Sequence, residues 1–327
     1  MTQSRSTLET DVCGISRIIT PKVAIDLIER GNIRGLAKAI TLVENGGEEK
    51  EILLDYAYKK KTEPTLVVGI TGPGGGGKST LIDQLIKEYR ALGKTVGVIA
   101  VDPSSPYTGG AFLGDRVRMG AHNTDDGVYI RSFASRNSLG GISDAVKGGL
   151  YLYKAFHFDV IIVESIGVGQ DQTEISSFVD VTVVVLVPGF GDAMQMAKAG
   201  IKEAADVFII NKSDRPEAAI LKEQIVNSFG IMRLENRPPI VSTVASEGIG
   251  INEAISVIEE TAEKQKTFAD KKRRERIWAE ISSLVMNIFH KELEERIRVM
   301  VEIVCEGSLT PYEASRKIIG CIEFRDT

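Results

Sequence analysis

A glycine-rich loop between a predicted strand and a predicted helix constrains this chain more than any other feature. Residues 72–80 read Gly-Pro-Gly-Gly-Gly-Gly-Lys-Ser-Thr, after the apolar run 66–70 and before a helical pattern of leucine and isoleucine. Glycines let backbone N–H groups turn inward around phosphate oxygens, and the N-terminus of the next helix adds unsatisfied donors. This is the pattern of a phosphate-binding loop in its required context. We expect the loop to hold phosphate through Gly74, Gly75, Gly76, Gly77, Lys78, Ser79 and Thr80.

Two later strands are predicted to end on carboxylates. The apolar run 95–101 precedes Asp102, and the run 159–163 precedes Glu164. Ligands of parallel sheets bind beyond the carboxyl ends of the strands, so both acids are placed at the site. An apolar strand that ends in an acid with a glycine nearby, here Gly167, is typical of a Walker B segment. Its acid organises Mg²⁺ or its water, and the glycine N–H can meet the γ-phosphate.

A third motif selects the base. The strand 206–210 precedes Asn211-Lys212-Ser213-Asp214. Asp214 can accept hydrogen bonds from N1–H and the 2-amino group of guanine, while the stem of Lys212 lies over the base plane. Adenine lacks both donors, and a buried carboxylate left without them is costly. The motif therefore predicts that Asn211, Lys212 and Asp214 bind GTP or GDP in preference to ATP.

The loop after the last predicted strand is less specific. Val244 and Ala245 come directly after the apolar run 239–243. A turn here could place backbone N–H groups on the guanine carbonyl, and the alternative is an ordinary connection between a strand and a helix.

The predicted chemistry is attack of water on the γ-phosphate. Lys78 should reach the β- and γ-phosphates, and the Ser79 hydroxyl should ligate Mg²⁺. The developing charge would spread over Lys78, Mg²⁺ and the N–H groups of the loop. Because no residue is an obvious strong general base, we expect slow turnover that a partner accelerates.

The chain is predicted to have three parts. Residues 1–62 are interpreted as a helical extension separate from the rest of the chain. In residues 63–262 strands alternate with helices, which predicts an α/β domain with a mostly parallel central sheet flanked by helices. Residues 263–327 are predicted to form a C-terminal helical arm. Its apolar stripe is too long for one small domain to cover, so we expect a second subunit to cover part of it, and packing on its own domain is the alternative. The stripe comprises Ile277, Ile281, Leu284, Ile288, Ile297, Met300 and Val304.

The composition argues against several other classes of protein. The 327 residues carry a formal charge of -5, so no basic field draws the chain to nucleic acid. The apolar runs have the length of strands, and residues 1–12 form no apolar signal core, so we expect neither a membrane span nor export. Cys13, Cys305 and Cys321 form no cluster, which indicates reduced thiols and no sequence-evident metal motif. A cytoplasmic location is expected.

With these motifs in place, the chain resembles the MeaB/ArgK family of GTPases, the methylmalonic aciduria type A protein family, over nearly its whole length. The most specific matches are residues 102–105, 108–110, 113–116, 118–119, 164–170, 188–192 and 198–201. The resemblance implies a P-loop NTPase fold of the SIMIBI type and a homodimer that uses the C-terminal arm. It also implies a GTPase chaperone that gates cofactor loading of an adenosylcobalamin-dependent acyl-CoA mutase, usually methylmalonyl-CoA mutase, and protects it.

The same resemblance implies roles for individual residues. Asp115 joins Asp102 and Glu164 in the acidic set around Mg²⁺ and the attacking water, so the metal set is Ser79, Asp102, Asp115 and Glu164. Lys78 and the three acids are the catalytic residues. Residues 190–198 match the segment that couples nucleotide state to the mutase.

Some alternatives stay open at this point. Many relatives have proline at the position of Gly74, whereas here Pro73 precedes four glycines, as in the GTPase part of fused isobutyryl-CoA mutases. The partner could therefore be isobutyryl-CoA mutase. A metallochaperone GTPase would normally show Cys/His-rich motifs, and an amino-acid-transport kinase would need ATP preference, against which residues 211–214 argue. The intact loop argues against a binding module with a dead site. The chain lacks an Asp-x-His-x-x-Gly cobalamin motif, so any cobalamin effect should act through a partner.

Overall fold

The computed structural model of the protein describes residues 8–10, 16–18, 20–60, 65–103, 122, 124–135, 144–165, 175–189, 205–230, 233, 237–266 and 269–320. The chain divides into two compact units, residues 1–266 and residues 267–327. In chain order the described elements are β1 (Leu8–Thr10), β2 (Ser16–Ile18), α1 (Pro21–Glu29), α2 (Ile33–Asn45), α3 (Glu48–Lys59), β3 (Leu66–Thr71), α4 (Lys78–Ala91), β4 (Val96–Pro103), β5 (Val128–Ser135), α5 (Asp144–Ala155), β6 (Val160–Glu164), β7 (Val181–Leu186), β8 (Val207–Asn211), α6 (Ala218–Ser228), β9 (Ile240–Thr243), α7 (Ile251–Lys266), α8 (Ala269–Cys305) and α9 (Pro311–Gly320).

The first unit is built on a seven-stranded sheet with the order β5-β4-β6-β3-β7-β8-β9. Every pairing in this sheet is parallel. Strands β6 and β7 are buried along their whole length, because a parallel sheet covered on both faces requires continuous apolar runs. This architecture confirms the predicted α/β fold with flanking helices.

Hydrophobic clusters of the described residues cover both faces of the sheet. Helices α4 and α7 pack on one face, where Leu81 and Ile82 of α4 are buried with Ile258 of α7. On the other face, α1, α2, α3 and α5 pack in one cluster with residues of β3, β4 and β6. Gly148 lets these helices approach closely, since a Cβ there would lie 2.7 Å from Val43 Cγ1. The site-bearing strands are therefore held from both sides.

The N-terminal helices share a core with the sheet. The apolar face of α2, with Leu36, Ile40 and Val43, would be exposed if these helices stood apart, so burial against the sheet is favourable. The expectation that they are separate is wrong in this respect, and the boundary between residues 62 and 63 stays a prediction.

Side-chain caps begin the first two helices. Thr20 accepts a hydrogen bond from the N–H of Val23 and precedes Pro21 at the first helical position, and Asn32 caps α2 in the same way through the N–H of Arg34.

An antiparallel pair of short strands precedes these helices. Residues of β1 and β2 pair from Leu8 with Ile18 to Thr10 with Ser16. The prediction of helix throughout residues 1–62 is wrong here. The β-branched threonine and isoleucines of this stretch favour extended backbone, and the helical apolar period begins only at α1.

Aspartates close the amino edge of the sheet. Each precedes a strand and accepts a hydrogen bond from the backbone N–H at the start of a neighbouring strand. The pairs are Asp159 with Thr95 N (2.7 Å), Asp180 with Val67 N (2.9 Å) and Asp206 with Thr182 N (2.8 Å). These N–H groups would otherwise be left without a ladder partner, so the carboxylates satisfy the ends of the sheet.

The second unit consists of the long helix α8 and the short helix α9. The chain leaves α8 through Gly307 at φ +78°, a left-handed conformation that glycine adopts without strain. A capping box begins α9, because Glu313 N donates to Thr310 Oγ1 while Thr310 N donates to Glu313 Oε2. Within the described residues, no helix combines the length and apolar character needed to cross a membrane.

Candidate nucleotide-binding site

The glycine loop lies at the carboxyl edge of the sheet, between the end of β3 and the start of α4. Two of its glycines are required by their surroundings. Gly72 has φ +145°, and a Cβ there would lie 2.2 Å from the carbonyl oxygen of Val185 on β7. Gly77 has φ +80°, and its Cβ would lie 2.4 Å from Asn211 Nδ2. Around Gly74 nothing lies within 4 Å of such a Cβ, so the middle of the loop borders open space that a ligand can enter.

Lys78 lies inside the curl of the loop. Its side chain is buried, and Nζ donates to the carbonyl oxygens of Gly72 (3.0 Å) and Pro73 (3.1 Å). Backbone carbonyls thus hold the ammonium group beside the N-terminus of α4. A cation and a helix N-terminus together form a favourable place for the phosphates of a nucleotide.

Ser79 and Glu164 meet next to the loop. Ser79 Oγ donates to Glu164 Oε1 at 3.2 Å, and Glu164 is buried at the end of β6, the strand beside β3. A hydroxyl and a carboxylate are hard oxygen ligands, which Mg²⁺ prefers together with substrate phosphates. The donor set therefore fits Mg²⁺, which Ser79 and Glu164 would hold with the nucleotide.

The other predicted acids are only partly described. Asp102 is in β4 two residues beyond Ala100, which pairs with Glu164, so its backbone reaches the same edge of the sheet. Its side chain, all of Asp115 and Gly167 and the segment 190–198 lie outside the described residues. Within the described part of the chain, no group of three or more His, Cys, Asp or Glu side chains is placed to hold a metal ion.

The base-reading motif is tied to the phosphate loop. Asn211 Nδ2 donates to Gly76 O at 3.0 Å, and Lys212 Nζ donates to Gly75 O at 3.0 Å. Lys212 also has φ +56°, a strained conformation for a lysine that directs the turn after β8. The structure thus brings Asn211 and Lys212 onto the loop, while Asp214 two residues later is exposed.

Asn211 also holds the loop after β9. Its Oδ1 accepts from Ala245 N (3.1 Å) and from Thr243 Oγ1 (3.2 Å). Val244 N donates to Ile249 O at 3.0 Å. Both N–H groups that the sequence pattern assigns to the guanine carbonyl are thus already bonded to protein acceptors. Val244 and Ala245 shape this loop through those bonds, and their contact with guanine stays a prediction.

Two contributions were missed from the sequence. One is Thr243, which completes the bonds around Asn211. The other is the buried contact between Thr71 and Ser165, whose hydroxyls lie 2.9 Å apart. Thr71 precedes the glycine loop and Ser165 follows Glu164, and this adjacency is the only signal in the sequence. Hydroxyls at strand ends are too common to be specific.

Comparison with known proteins identifies the relatives of this chain. The family model "Methylmalonyl Co-A mutase-associated GTPase MeaB" matches residues 36–298. A GTPase-family protein of Pyrococcus horikoshii is 42% identical over 311 residues, covering 90% of this chain and 98% of that protein. The fused isobutyryl-CoA mutase of Cupriavidus metallidurans is 39% identical over 211 residues, 63% of this chain and 19% of the mutase. A crystal structure titled LAO/AO transport system kinase superposes with a TM-score of 0.66 at 25% identity, covering 92% of this chain and 96% of that chain.

Proposed function

The chain belongs to the MeaB family of methylmalonyl-CoA mutase-associated GTPases, and we propose that it is the GTPase chaperone of an adenosylcobalamin-dependent acyl-CoA mutase. Its nucleotide chemistry is the hydrolysis of GTP to GDP and phosphate. In the proposed role, this cycle gates loading of the mutase cofactor and protects the mutase from inactivation. The observation that carries the proposal is the family match over residues 36–298, which includes the nucleotide site and reaches into α8.

The loop geometry supports separate roles for the residues that bind the phosphates and those that bind Mg²⁺. The N–H groups of residues 74–80 and the Lys78 ammonium bind the phosphates, and they stabilise negative charge that develops on the γ-phosphate. Ser79 and Glu164 hold Mg²⁺, and Asp102 and Asp115 complete the acidic set that orients the attacking water. When bound, Mg²⁺ neutralises phosphate charge. Because the sequence offers no obvious strong general base, we expect slow turnover that a partner accelerates.

Recognition of guanine falls to the segment after β8. The exposed Asp214 carboxylate accepts from N1–H and the 2-amino group, and the stem of Lys212 covers one face of the base. The bonds from Asn211 and Lys212 to the loop carbonyls support a coupled response, because the base segment and the phosphate segment are physically joined. Gly167 and residues 190–198 would carry the nucleotide state outward to the mutase.

The second unit supports a homodimer. Large apolar side chains of α8 are exposed within this unit, among them Trp278 (74%), Ile281 (56%) and Ile288 (60%). Exposed apolar residues repeated along one helix indicate an interface. We assign this face to a second copy of the chain, with residues 263–327 as the dimerisation arm and the cytoplasm as the location. Sedimentation of the full chain should give twice the monomer mass, and a monomeric sedimentation coefficient would contradict the assignment.

The experiment that tests the partner is GTP turnover with candidate mutases. The full chain is assayed alone, with methylmalonyl-CoA mutase and with isobutyryl-CoA mutase from the same organism, and ATP is the control nucleotide. The likeness to the fused isobutyryl-CoA mutase makes the second enzyme a specific alternative. We expect one mutase to raise GTP turnover while ATP stays inert. Equal turnover with and without both mutases would overturn the chaperone proposal and leave the GTPase activity intact.

A further inference from the structure

A buried pair of hydroxyls lies directly behind the nucleotide site. Ser165 Oγ donates to Thr71 Oγ1 at 2.9 Å, and the two residues are 2% and 0% exposed. Thr71 is the last residue of β3, immediately before Gly72. Ser165 is the first residue after Glu164 at the end of β6. The bond therefore joins the start of the phosphate loop to the end of the strand that carries the acid.

The backbone reinforces this connection. Ser165 N donates to Ile70 O at 3.0 Å, one residue beyond the last paired positions of the two strands, Ile70 and Glu164. Ser165 is thus attached to β3 through its main chain and its side chain. Because Glu164 lies one residue earlier, both bonds restrict the backbone from which its carboxylate reaches Ser79.

The loop side of the pair is equally close to the site. Thr71 precedes Gly72, whose carbonyl oxygen accepts from Lys78 Nζ, and Gly72 itself is pressed against Val185 of β7. A buried hydroxyl pair is not needed for packing, since apolar groups of the same shape are nearly neutral in stability. Its position between the acid and the loop therefore indicates a role in geometry.

We propose that Thr71 and Ser165 are positioning residues that hold the Glu164 carboxylate at the Ser79 hydroxyl and so set the Mg²⁺ affinity of the nucleotide site. The inference rests on the proposed role of Glu164 in holding Mg²⁺. Partners behind a metal ligand orient it, and their loss typically weakens metal affinity about 10- to 100-fold.

Equilibrium binding of a fluorescent GDP analogue, titrated with Mg²⁺, tests the proposal without measuring turnover. Mg²⁺ should raise the affinity of the protein for the GDP analogue. In Ser165→Ala and in Thr71→Val, we expect the Mg²⁺ concentration that gives half of this increase to be about tenfold higher than in the wild type. GDP binding without Mg²⁺ should change little, because the loop N–H groups and Lys78 remain. The double variant should resemble each single variant, since all three break the same bond. Thr71→Ser and Ser165→Thr keep a hydroxyl and should restore the wild-type response.

Thr182→Val is a matched control for the loss of a buried hydroxyl. Thr182 is 1% exposed on the neighbouring strand β7, and its hydroxyl has no hydrogen-bond partner among the described residues. This variant should leave the Mg²⁺ response unchanged. Wild-type Mg²⁺ dependence in Ser165→Ala and Thr71→Val would overturn the inference, whatever their melting temperatures.

Glu164→Gln separates the positioning role from the metal role on which it rests. If it weakens Mg²⁺-dependent binding and the hydroxyl variants do not, only the positioning role fails. If Glu164→Gln itself leaves the Mg²⁺ response unchanged, the proposed metal role of Glu164 fails, and the positioning role fails with it.

Discussion

The two edges of the central sheet both carry carboxylate side chains, which serve different purposes. At the amino edge, Asp159, Asp180 and Asp206 each accept from the backbone N–H of a neighbouring strand. At the carboxyl edge, Glu164 ends a strand and accepts from the hydroxyl of Ser79, beside a loop whose glycines leave open space. At the amino edge, carboxylates bond the backbone of the sheet. At the carboxyl edge, polar groups surround a ligand site.

The difference shows that an acid at a strand end has no fixed role. A carboxylate that accepts from a backbone N–H of the sheet contributes to folding, and its removal leaves a donor unsatisfied. A carboxylate that accepts from a side chain of the phosphate loop contributes to ligand binding. Variants at the carboxyl edge should therefore change nucleotide chemistry with little loss of stability, and those at the amino edge should do the reverse.

The largest expected effect comes from removal of the Lys78 ammonium. Lys78→Ala should lower the rate of GTP turnover about 10²- to 10³-fold, since a preorganised charge at the γ-phosphate is lost. The melting temperature should change little. Lys87→Ala is the matched control, because Lys87 lies on the same helix α4 but pairs with Asp83 at its half-exposed surface. A comparable loss of turnover in Lys78→Ala and Lys87→Ala would contradict the assignment of Lys78 to the phosphates.

A change of base preference is expected from Asp214→Asn. Asparagine offers an amide N–H₂ where the carboxylate accepted, so it no longer fits the guanine 2-amino group and can donate to the 2-carbonyl of xanthine. Sites built to bond a polar group commonly reject its replacement about 10⁴-fold or more when the bond is buried, and we expect about 10²-fold for this exposed residue. Competition binding with GDP and XDP measures the switch. Unchanged GDP preference would contradict the assignment of Asp214.

Variants at the amino edge should lower the free energy of unfolding and leave GTP turnover unchanged. Asp180→Ala leaves the N–H of Val67 without its carboxylate acceptor and should lower the free energy of unfolding of the first unit by about 2 kcal/mol. Urea denaturation of the full chain measures the loss, with the exposed Asp126→Ala as control. Turnover at a temperature where both variants are folded should match the wild type. A selective loss of turnover would show that the two edges are not independent.

The smallest effect concerns acid stability. Burial disfavours the charged form of Asp159, but bonds from the N–H and hydroxyl of Thr95, with the charge of Lys94, outweigh it and lower its pKa below the ordinary value. A lowered folded-state pKa contributes stability above the unfolded pKa, about 3.9, and this contribution is lost as pH falls through the folded pKa. The gap in unfolding free energy between wild type and Asp159→Asn should therefore be present at pH 7 and shrink below about pH 4. An equal gap at pH 7 and pH 3 would rule out the charge as its source.

Much of the site could be predicted because its motifs are local. The loop around Lys78, the acid at Glu164 and the segment from Asn211 each stand at the end of an apolar strand, and parallel strands bring their carboxyl ends to one edge. The sequence could not show that Asn211 bonds Gly76 and Ala245, since these groups come from three separate segments. Binding of guanine through the N–H groups of Val244 and Ala245 stays a prediction.

The sequence by itself determined the parallel α/β architecture, the phosphate loop and the guanine motif, since each depends on residue types at fixed local spacing. Only the tertiary structure decided that α1–α3 share a core with the sheet, because an apolar helix face does not specify what covers it. Tertiary structure alone also separated the aspartates that close the amino edge from the acid that faces the loop. That distinction depends on which donor lies within hydrogen-bond distance, and such distances arise only when strands far apart in the chain are brought side by side.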